Sequence, residues 1–320
     1  MTKTKNLWES LPKHFLALAP MEGVTDIIFR TVVAKAARPD LFLTEFTNVN
    51  SYASEKGRSN ALSRLEFADS EQPIIPQIWG KIPEHFAITA DGLKKLGYQA
   101  IDLNMGCPDK NVVRTGGGSA LIKTPDLATE IIAATKSAGL PVSVKTRLGF
   151  TRPEEHQTWL PHLLKQNLAA LTIHLRTRKE MSKVPAHFEL IPEIIKLRAE
   201  LAPETKLIIN GDILDRTHAD QIFAQHPNLD GIMIGRGVFA NPFCFEQNPR
   251  PHTKQELIDL LKLHLDLFDK YNKTHETTLK FDPLKRFFKI YIRDFPASAD
   301  LRAQLMETKS STEARQILNY

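Results

Sequence analysis

The sequence predicts an α/β protein of the TIM (β/α)8 barrel class, followed by a C-terminal all-helical domain. Short apolar runs rich in β-branched residues recur eight times, with helix-like segments between them. The runs begin about 30 residues apart, which is the length of one βα repeat. After the eighth run the strand pattern stops and helical periodicity takes over.

The eight predicted strands are parallel because each is separated from the next by a helix. Eight such strands close a TIM barrel, whereas the alternative, an open doubly wound sheet, more often has five or six. In chain order the runs are "FLALAP" (15–20), "LFLTEF" (41–46), "IIPQIW" (74–79), "AIDLNM" (100–105), "PVSVKT" (141–146), "ALTIHL" (170–175), "KLIING" (206–211) and "DGIMIG" (230–235).

A domain boundary is predicted near "QNPRPH" (247–252), where two prolines and polar residues interrupt the pattern. It divides the chain into a barrel domain, 1–250, and a helical domain, 251–320. Three or four helices forming a small bundle are the simplest interpretation of the second part. They are predicted within "KQELIDLLKLHLDLFDKYNK", "PLKRFFKIYIRDF" and "SADLRAQLMETKSSTEARQILNY".

Composition excludes several classes of protein. With 320 residues and 42% hydrophobic content, the chain can bury a large core. Two cysteines are too few for a disulfide framework, and no Cys/His spacing resembles a zinc site, so we expect no metal and a reducing compartment. The N-terminus lacks an apolar signal region and no run is long enough to span a membrane. We therefore expect a cytoplasmic monomer, and the net charge of +5 is too small to identify an anionic partner.

Polar residues at the predicted strand ends are the first candidates for a site, because TIM barrels build their active sites at the carboxyl ends of the strands. "NGD" and "IGRG" follow strands seven and eight, where barrels often bind a phosphate, although a tight βα turn is the alternative. The triple glycine 116–118 lacks the spacing of a phosphate loop and is predicted to be a turn.

Three polar side chains stand in or beside strands that otherwise need apolar residues. Lys145 is expected to serve a ligand, because an unpaired buried ammonium is costly, but a structural ion pair is the alternative. His174 is either a ligand contact or a hydrogen-bonded core histidine. Asn104 could bind a substrate carbonyl or cap its own loop.

Cys107 follows strand four, between Gly106 and Pro108. From the residue alone, its thiol could be a nucleophile, a metal ligand or a small buried side chain. Cys244 has no comparable setting and is predicted to be structural.

Seven motifs in order show a close resemblance to the tRNA-dihydrouridine synthases, flavin enzymes that reduce specific uridines in tRNA. "MEGV" together with "GGG" resembles the bacterial C-type members, and "PLKRFFKIYIRDFPASADLR" resembles the C-terminal helical domain of the family. The motifs are "LAPMEGVTD", "PQIWG", "DLNMGCP" followed by "GGGSALI", "PVSVKTRLG", "IHLRTR", "INGDI" and "MIGRG".

The resemblance implies FMN at the barrel mouth and NADPH as the reductant. Pro20, Met21 and Glu22 would lie along the isoalloxazine, Gln77 and Lys145 would contact the ring system, and His174 would approach the flavin or its phosphate. The residues implied to hold the ribityl phosphate are Asn210, Gly211, Asp212, Gly235 and Arg236.

The resemblance also makes Cys107 the general acid, with Asn104 and Arg147 contacting the substrate uridine or its strand. The chemistry agrees, since C6 of uracil can accept a hydride while C5 must receive a proton. A thiol with a pKa of about 8.5 is largely protonated at neutral pH and can donate that proton. This hypothesis requires Cys107 to be a thiol and not a thiolate.

A base inside folded tRNA must be flipped out to be reduced, and the helical domain would grip the backbone. Lys285, Lys289 and Arg293 are spaced i, i+4 and i+8, with Arg286 beside them, and predict one basic stripe on a helix, unless that face is merely solvated. Arg176, after strand six, is a further expected tRNA contact.

Two other functions are compatible with parts of the sequence. Another FMN-dependent TIM-barrel oxidoreductase, acting on a free small molecule, would explain the flavin residues but not the helical domain. A catalytically inactive tRNA-binding protein would not need Cys107 or the phosphate residues.

Overall fold

The computed structural model describes residues 6–276 and 278–319, and in these the chain forms a closed parallel barrel surrounded by helices. The strands are β1 Phe15–Leu18, β2 Phe42–Leu43, β3 Thr47–Asn48, β4 Ile74–Ile75, β5 Gln77–Trp79, β6 Ile101–Met105, β7 Val142–Arg147, β8 Ala170–His174, β9 Lys206–Asn210 and β10 Gly231–Ile234.

The sheet runs β1-β10-β9-β8-β7-β6-β5-β3, with every pair parallel, and a second sheet pairs β2 with β4. Closure occurs beside β1, where the Leu18 N–H donates to the Leu41 carbonyl at 3.0 Å. On the other side of β2, the Thr44 N–H donates to the Ile75 carbonyl at 3.0 Å. The predicted TIM barrel is confirmed.

Two of the predicted strands differ from the structure because each is divided. The run 41–46 becomes β2 and the start of a bend into β3, and the run 74–79 becomes β4 and β5 on either side of Pro76. Proline has no N–H to give to a ladder, so the strand is interrupted there. The Pro76 carbonyl still accepts the Asp102 N–H at 3.0 Å, which keeps the barrel wall continuous.

Helices cover the outside of the barrel and form all of the regular structure after β10. Those up to β10 are α1 Leu7–Ser10, α2 Ile27–Ala36, α3 Val49–Ala53, α4 Glu55–Ser63, α5 Pro83–Lys95, α6 Lys110–Arg114, α7 Pro125–Lys136, α8 His156–Leu164, α9 Ile191–Leu201 and α10 Arg216–Gln225. Those that follow are α11 Gly237–Ala240, α12 Lys254–Thr274, α13 Phe281–Leu284, α14 Phe288–Tyr291, α15 Ser298–Glu307 and α16 Ser311–Ile317. Within the described ranges no helix is both long enough and apolar enough to cross a membrane.

The amino-terminal end of the barrel is closed by apolar side chains. Trp8 of α1 lies 6.4 Å from Phe15, centroid to centroid, and both are buried with Ala100, Ala170 and Ile208. A larger core lies between the strands and the helices. Because the lower barrel is filled, space for a ligand inside the barrel is left toward the carboxyl ends of the strands.

The C-terminal helices pack on α2. Phe29 of α2 lies 5.0 Å from Phe287 and 6.3 Å from His264 of α12, measured between ring centroids. The predicted single helix 283–295 is not formed. Instead α13 continues as a 3-10 turn, Lys285–Phe287, into α14, which ends at Tyr291 because Ile292 leaves helical geometry at φ −99° and ψ 79°.

Candidate active site

A cavity of about 520 Å³ opens at the carboxyl ends of the strands. It brings together residues that are far apart in the sequence, as expected of a TIM-barrel mouth. Predicted site residues that line it are Pro20, Met21, Gln77, Asn104, Cys107, Lys145, Arg147, His174, Asn210, Gly211, Asp212, Gly235 and Arg236.

Several lining residues were not predicted from the sequence. Phe46, Ser182 and Leu214 stand on loops that follow strands, and nothing in their residue type marks them. Gly237, which also lines the cavity, belongs to the predicted "IGRG" motif, and a Cβ at this position would lie 2.1 Å from the Leu214 carbonyl oxygen.

A chain of hydrogen bonds crosses the floor of the cavity. Asp102 accepts from Gln77 Nε2 at 2.7 Å and from Ser143 Oγ at 2.6 Å. Asn104 Nδ2 donates to Gln77 Oε1 at 2.9 Å. Burial raises the pKa of Asp102 to about 6, against the hydrogen bonds from Ser143 and Gln77. Asp102 was not among the predicted site residues, although the alternation of "IDLNM" places it on the same face as Asn104.

The Cys107 loop is held at both ends. Its N–H donates to Asn104 Oδ1 at 2.9 Å, and its carbonyl accepts from the Ser119 N–H at 3.1 Å. Gly118 packs directly against it, at φ +57°, where a Cβ would lie 2.9 Å from the Cys107 carbonyl oxygen. The glycine run 116–118 is therefore a turn supporting this loop, as predicted.

The Cys107 thiol is half-buried at the cavity wall. Burial raises the pKa of the thiol. A hydrogen bond from the Asp109 backbone N–H opposes this, the Asp109 carboxylate adds to it and Arg147 opposes it, and the net shift is upward. The group is therefore protonated at neutral pH, the state that proton donation requires.

Lys145 lies on β7, the strand next to β6, in register with Asn104. Its Nζ donates to Asn210 Oδ1 at 3.2 Å, and no carboxylate of the described residues forms an ion pair with it. Burial, with the charge of Arg147, lowers the pKa of Lys145 to about 8. Asp102 attracts the Lys145 charge without bonding to it, so the predicted role of Lys145 toward a ligand stays a prediction.

Arg147 braces two loops around the cavity. Its Nε donates to the Gly106 carbonyl at 2.8 Å, and its Nη1 donates to the Thr177 and Met181 carbonyls, both at 3.0 Å. It thereby joins the Cys107 loop to the loop after β8.

Arg176 does not reach the surface, contrary to the expectation of a tRNA contact. The side chain is 2% exposed, and its Nε donates to the Val184 carbonyl at 2.6 Å. Its Nη1 donates to His174 Nε2 at 3.2 Å and its Nη2 to Asp212. Since all of these bonds point inward, Arg176 organises the floor of the site.

His174 is neutral. Burial, with the charges of Arg147 and Lys145, lowers its pKa well below the usual value. Because Arg176 can only donate, Nε2 must be the acceptor and the ring proton belongs on Nδ1.

The Asp212 carboxylate anchors two arginines. Its carboxylate accepts from the Ala186 N–H at 3.0 Å, from Arg176, and from Arg236 Nη2 at 3.0 Å. Partial burial opposes ionisation, but these hydrogen bonds and charges lower the pKa of Asp212. A carboxylate repels a phosphate, so any part of the Asp212 side chain in phosphate binding runs through its bond to Arg236, and this role stays a prediction.

Glu22 lies outside this cavity, contrary to its expected place along a cofactor. It forms an ion pair with Arg64 at 2.7 Å and lines a neighbouring cavity of about 500 Å³. The two cavities share Phe46 and Cys107.

The loop after β1 connects the barrel to the helical region. Glu45 accepts the Gly23 N–H at 2.5 Å, and Arg286 Nη1 donates to the Gly23 carbonyl at 2.7 Å. Burial, with the charge of Asp26, raises the pKa of Glu45 to about 7.

The basic residues of the helical region form a groove instead of the predicted stripe. Lys285, Arg286 and Lys289 line it together with Arg302 of α15. Arg293 is separated because α14 has ended, and its Nη1 donates to the Phe239 carbonyl at 3.2 Å.

No group of three or more His, Cys, Asp or Glu side chains in the described residues is placed to hold a metal ion. The site offers instead a thiol, three amides and several cations around one cavity.

The fold resembles a solved reductase and a solved dehydrogenase. A morphinone reductase mutant in complex with tetrahydroNAD superimposes with a TM-score of 0.50 at 15% identity, covering 76% of this chain and 90% of that one. Histamine dehydrogenase from Rhizobium sp. 4-9 gives 0.53 at 13% identity, covering 78% of this chain and 46% of that one. At these identities the likeness shows the TIM barrel alone.

Sequence relatives are much closer. The chain is 54% identical over 316 residues to "Probable tRNA-dihydrouridine synthase 2" of Bacillus subtilis (strain 168), covering 99% of this chain and 96% of the relative. It is 55% identical over 315 residues to "Probable tRNA-dihydrouridine synthase" of Staphylococcus aureus (strain COL), covering 98% and 95%. The family model described as Dihydrouridine synthase (Dus) matches residues 17–319. The chain belongs to the dihydrouridine synthase family.

Proposed function

We propose that this protein reduces specific uridines in tRNA to 5,6-dihydrouridine, with FMN as cofactor and NADPH as reductant. The observation that carries the proposal is the position of Cys107, a protonated thiol on the wall shared by two adjoining cavities. Both near relatives are named for this activity.

The residues of the first cavity fit FMN. A volume of about 520 Å³ lies within the range of cofactor sites. Gly235, Arg236 and Gly237 line it together, and Arg236 supplies a positive fork for a phosphate. Lys145 and neutral His174 stand farther along the wall, where they can hydrogen-bond to a polar ring.

Bound flavin, once reduced, supplies the hydride that C6 of the uracil ring accepts. The Cys107 thiol gives its proton to C5, so that the C5–C6 double bond becomes single, and the thiolate then takes a proton from solvent. Arg147 holds the Cys107 loop through Gly106 and keeps the thiol in place. Asn104 can donate to a carbonyl of the base, because its Oδ1 is already occupied by backbone N–H groups.

The helical domain, residues 251–320, would bind the tRNA backbone. The groove of Lys285, Arg286, Lys289 and Arg302 offers several positive charges on one side of the barrel. Such charges attract phosphates without reading sequence, so they serve to present the substrate.

The test is site-by-site mapping of dihydrouridine in tRNA from a strain lacking the gene, together with the absorbance of the purified protein. We expect a yellow protein and the loss of dihydrouridine at defined positions, restored by a plasmid copy. A colourless protein would refute the flavin reading. A yellow protein whose deletion changes no tRNA position, in a strain without a second synthase, would favour a small-molecule substrate.

A further inference from the structure

Asp102 is a buried carboxyl that the proposed mechanism does not use. It is 1% exposed and lies inside the barrel, beneath Gln77 and Asn104. An ionised group in such a place costs free energy unless its hydrogen bonds repay the loss of water. Here the bonds connect it to the reactive loop.

The connection runs through two amides. Gln77 Nε2 donates to Asp102, Asn104 Nδ2 donates to Gln77 Oε1, and Asn104 Oδ1 accepts from the Gly106 and Cys107 N–H groups at 3.1 and 2.9 Å. Gln77 is fully buried and Asn104 is 7% exposed, so water cannot readily replace either bond.

The donor and acceptor directions in this series of hydrogen bonds are set at both ends. A carboxylate can only accept and a backbone N–H can only donate, so each amide has a single orientation that satisfies both neighbours. Turning either amide would face two donors or two acceptors in a buried place, which is costly. The second N–H of each amide makes no hydrogen bond within the described residues, and both side chains line the cavity.

We infer that Asp102 is a positioning residue that, through Gln77 and Asn104, holds the Cys107 loop and keeps amide N–H donors directed at the cavity. A ring bearing carbonyl oxygens is the ligand such donors suit. The inference rests on the proposed function only for its activity readout, because the geometry of the Cys107 loop can be measured without turnover.

Asp102 can fill this role at neutral pH. Burial raises its pKa to about 6, so the carboxylate form still predominates above that pH, and the nearby Lys145 charge favours it. Both Ser143 and Gln77 donate to it, which leaves neither carboxylate oxygen without a partner.

The test measures the rate at which iodoacetamide alkylates Cys107 at a fixed alkaline pH, by peptide mass. Cys244 is 1% exposed and serves as an internal unreactive thiol. Asp102→Leu removes the acceptor of the Gln77 and Ser143 hydrogen bonds, and should raise the Cys107 rate at least fivefold while lowering dihydrouridine formation at least tenfold. Glu71→Gln is the control, because it also alters a buried carboxyl but one bonded to Arg30. It should leave both measurements within twofold of wild type.

Moving the carboxylate from position 102 to position 77 tests the direction of the hydrogen bonds between Asp102, Gln77 and Asn104. Gln77→Glu alone brings two carboxylates together and should also release the loop. Adding Asp102→Asn lets the new amide donate to Glu while Glu still accepts from Asn104, so the double variant should return the Cys107 rate to within threefold of wild type.

Two results would overturn the inference. One is an unchanged rate of Cys107 alkylation in folded Asp102→Leu. The other is a double variant whose alkylation rate is no closer to wild type than that of Gln77→Glu alone. If Asp102→Leu fails to fold, this second comparison is the test. If the wild-type protein forms no dihydrouridine, the proposed function is refuted. If the variants of that protein still show the expected changes in Cys107 alkylation, the role of Asp102 remains supported.

Discussion

The barrel mouth and the helical region both carry charged side chains, but they hold them differently. At the mouth, Arg147, Arg176 and Asp212 are tied to backbone groups and to each other. In the helical region, Lys289 and its neighbours line an open groove. Chemistry needs atoms fixed to within fractions of an ångström, whereas attraction of a phosphate backbone needs only charge nearby. The two regions should therefore respond differently to substitution.

The largest effect is expected at Cys107. Cys107→Ala should lower the rate of dihydrouridine formation by about 10²- to 10⁴-fold, because a general acid contributes this much. The FMN absorbance should be unchanged, since the thiol is not needed to hold the cofactor. Cys244→Ala is the matched control and should keep its turnover. Full activity in Cys107→Ala would show that another group gives the proton.

Glu45 joins the two regions and should make stability depend on pH. Its folded pKa of about 7 lies above the unfolded value near 4.5, so the folded state binds the extra proton between these pH values. The free energy of unfolding then falls as pH rises, by up to about 3 kcal/mol from this group.

Glu45→Gln keeps an acceptor for the Gly23 N–H but removes the titration. Urea unfolding at pH 5 and pH 8 should show the variant more stable than wild type at pH 8 and similar at pH 5. Equal differences at both pH values would contradict the assignment.

Asp212→Asn tests the bonded network at the mouth. It should raise the Kd for FMN roughly tenfold, because a charge-assisted hydrogen bond contributes about 1.5–3 kcal/mol and Arg236 loses its anchor. Fluorescence titration of the apoprotein with FMN measures this. Asp215→Asn alters only the cap of α10 and is the control. An unchanged Kd in Asp212→Asn would mean that Arg236 needs no partner.

The smallest effect is expected in the helical groove. Arg302→Ala should weaken tRNA binding about three- to tenfold and lower the salt dependence by about one counterion. Arg293→Ala is a close match, because both arginines also donate to a backbone carbonyl. If Arg293→Ala weakens binding more, the predicted stripe and not the observed groove is the tRNA surface.

The barrel could be predicted from the sequence because parallel βα repeats leave a strong periodic pattern. The proline at position 76 is visible in the sequence. Whether it interrupts the strand depends on whether a neighbouring strand would accept a hydrogen bond from the N–H that proline lacks, and the sequence does not show this. The helix break before Arg293 left no such mark, since "KIYIRDF" is apolar at helical spacing and only packing decides where α14 ends.

The sequence indicated which residues belong to the site better than it indicated the hydrogen bonds between them. Cys107, Lys145 and Asn210 could be placed at one mouth by counting strands. That Arg176 turns inward and that Asp102 supports two amides depends on side-chain directions in three dimensions, which no spacing reveals.

The protonated state of Cys107 has a consequence for how long the enzyme survives. Peroxide attacks thiolates and spares thiols, so a thiol whose pKa is raised by burial oxidises slowly. Cys244 is deep in the core and cannot reach it to form a disulfide. The environment that supplies a proton donor thus also protects it, and the protein should stay active through oxidative stress that disables enzymes with nucleophilic cysteines.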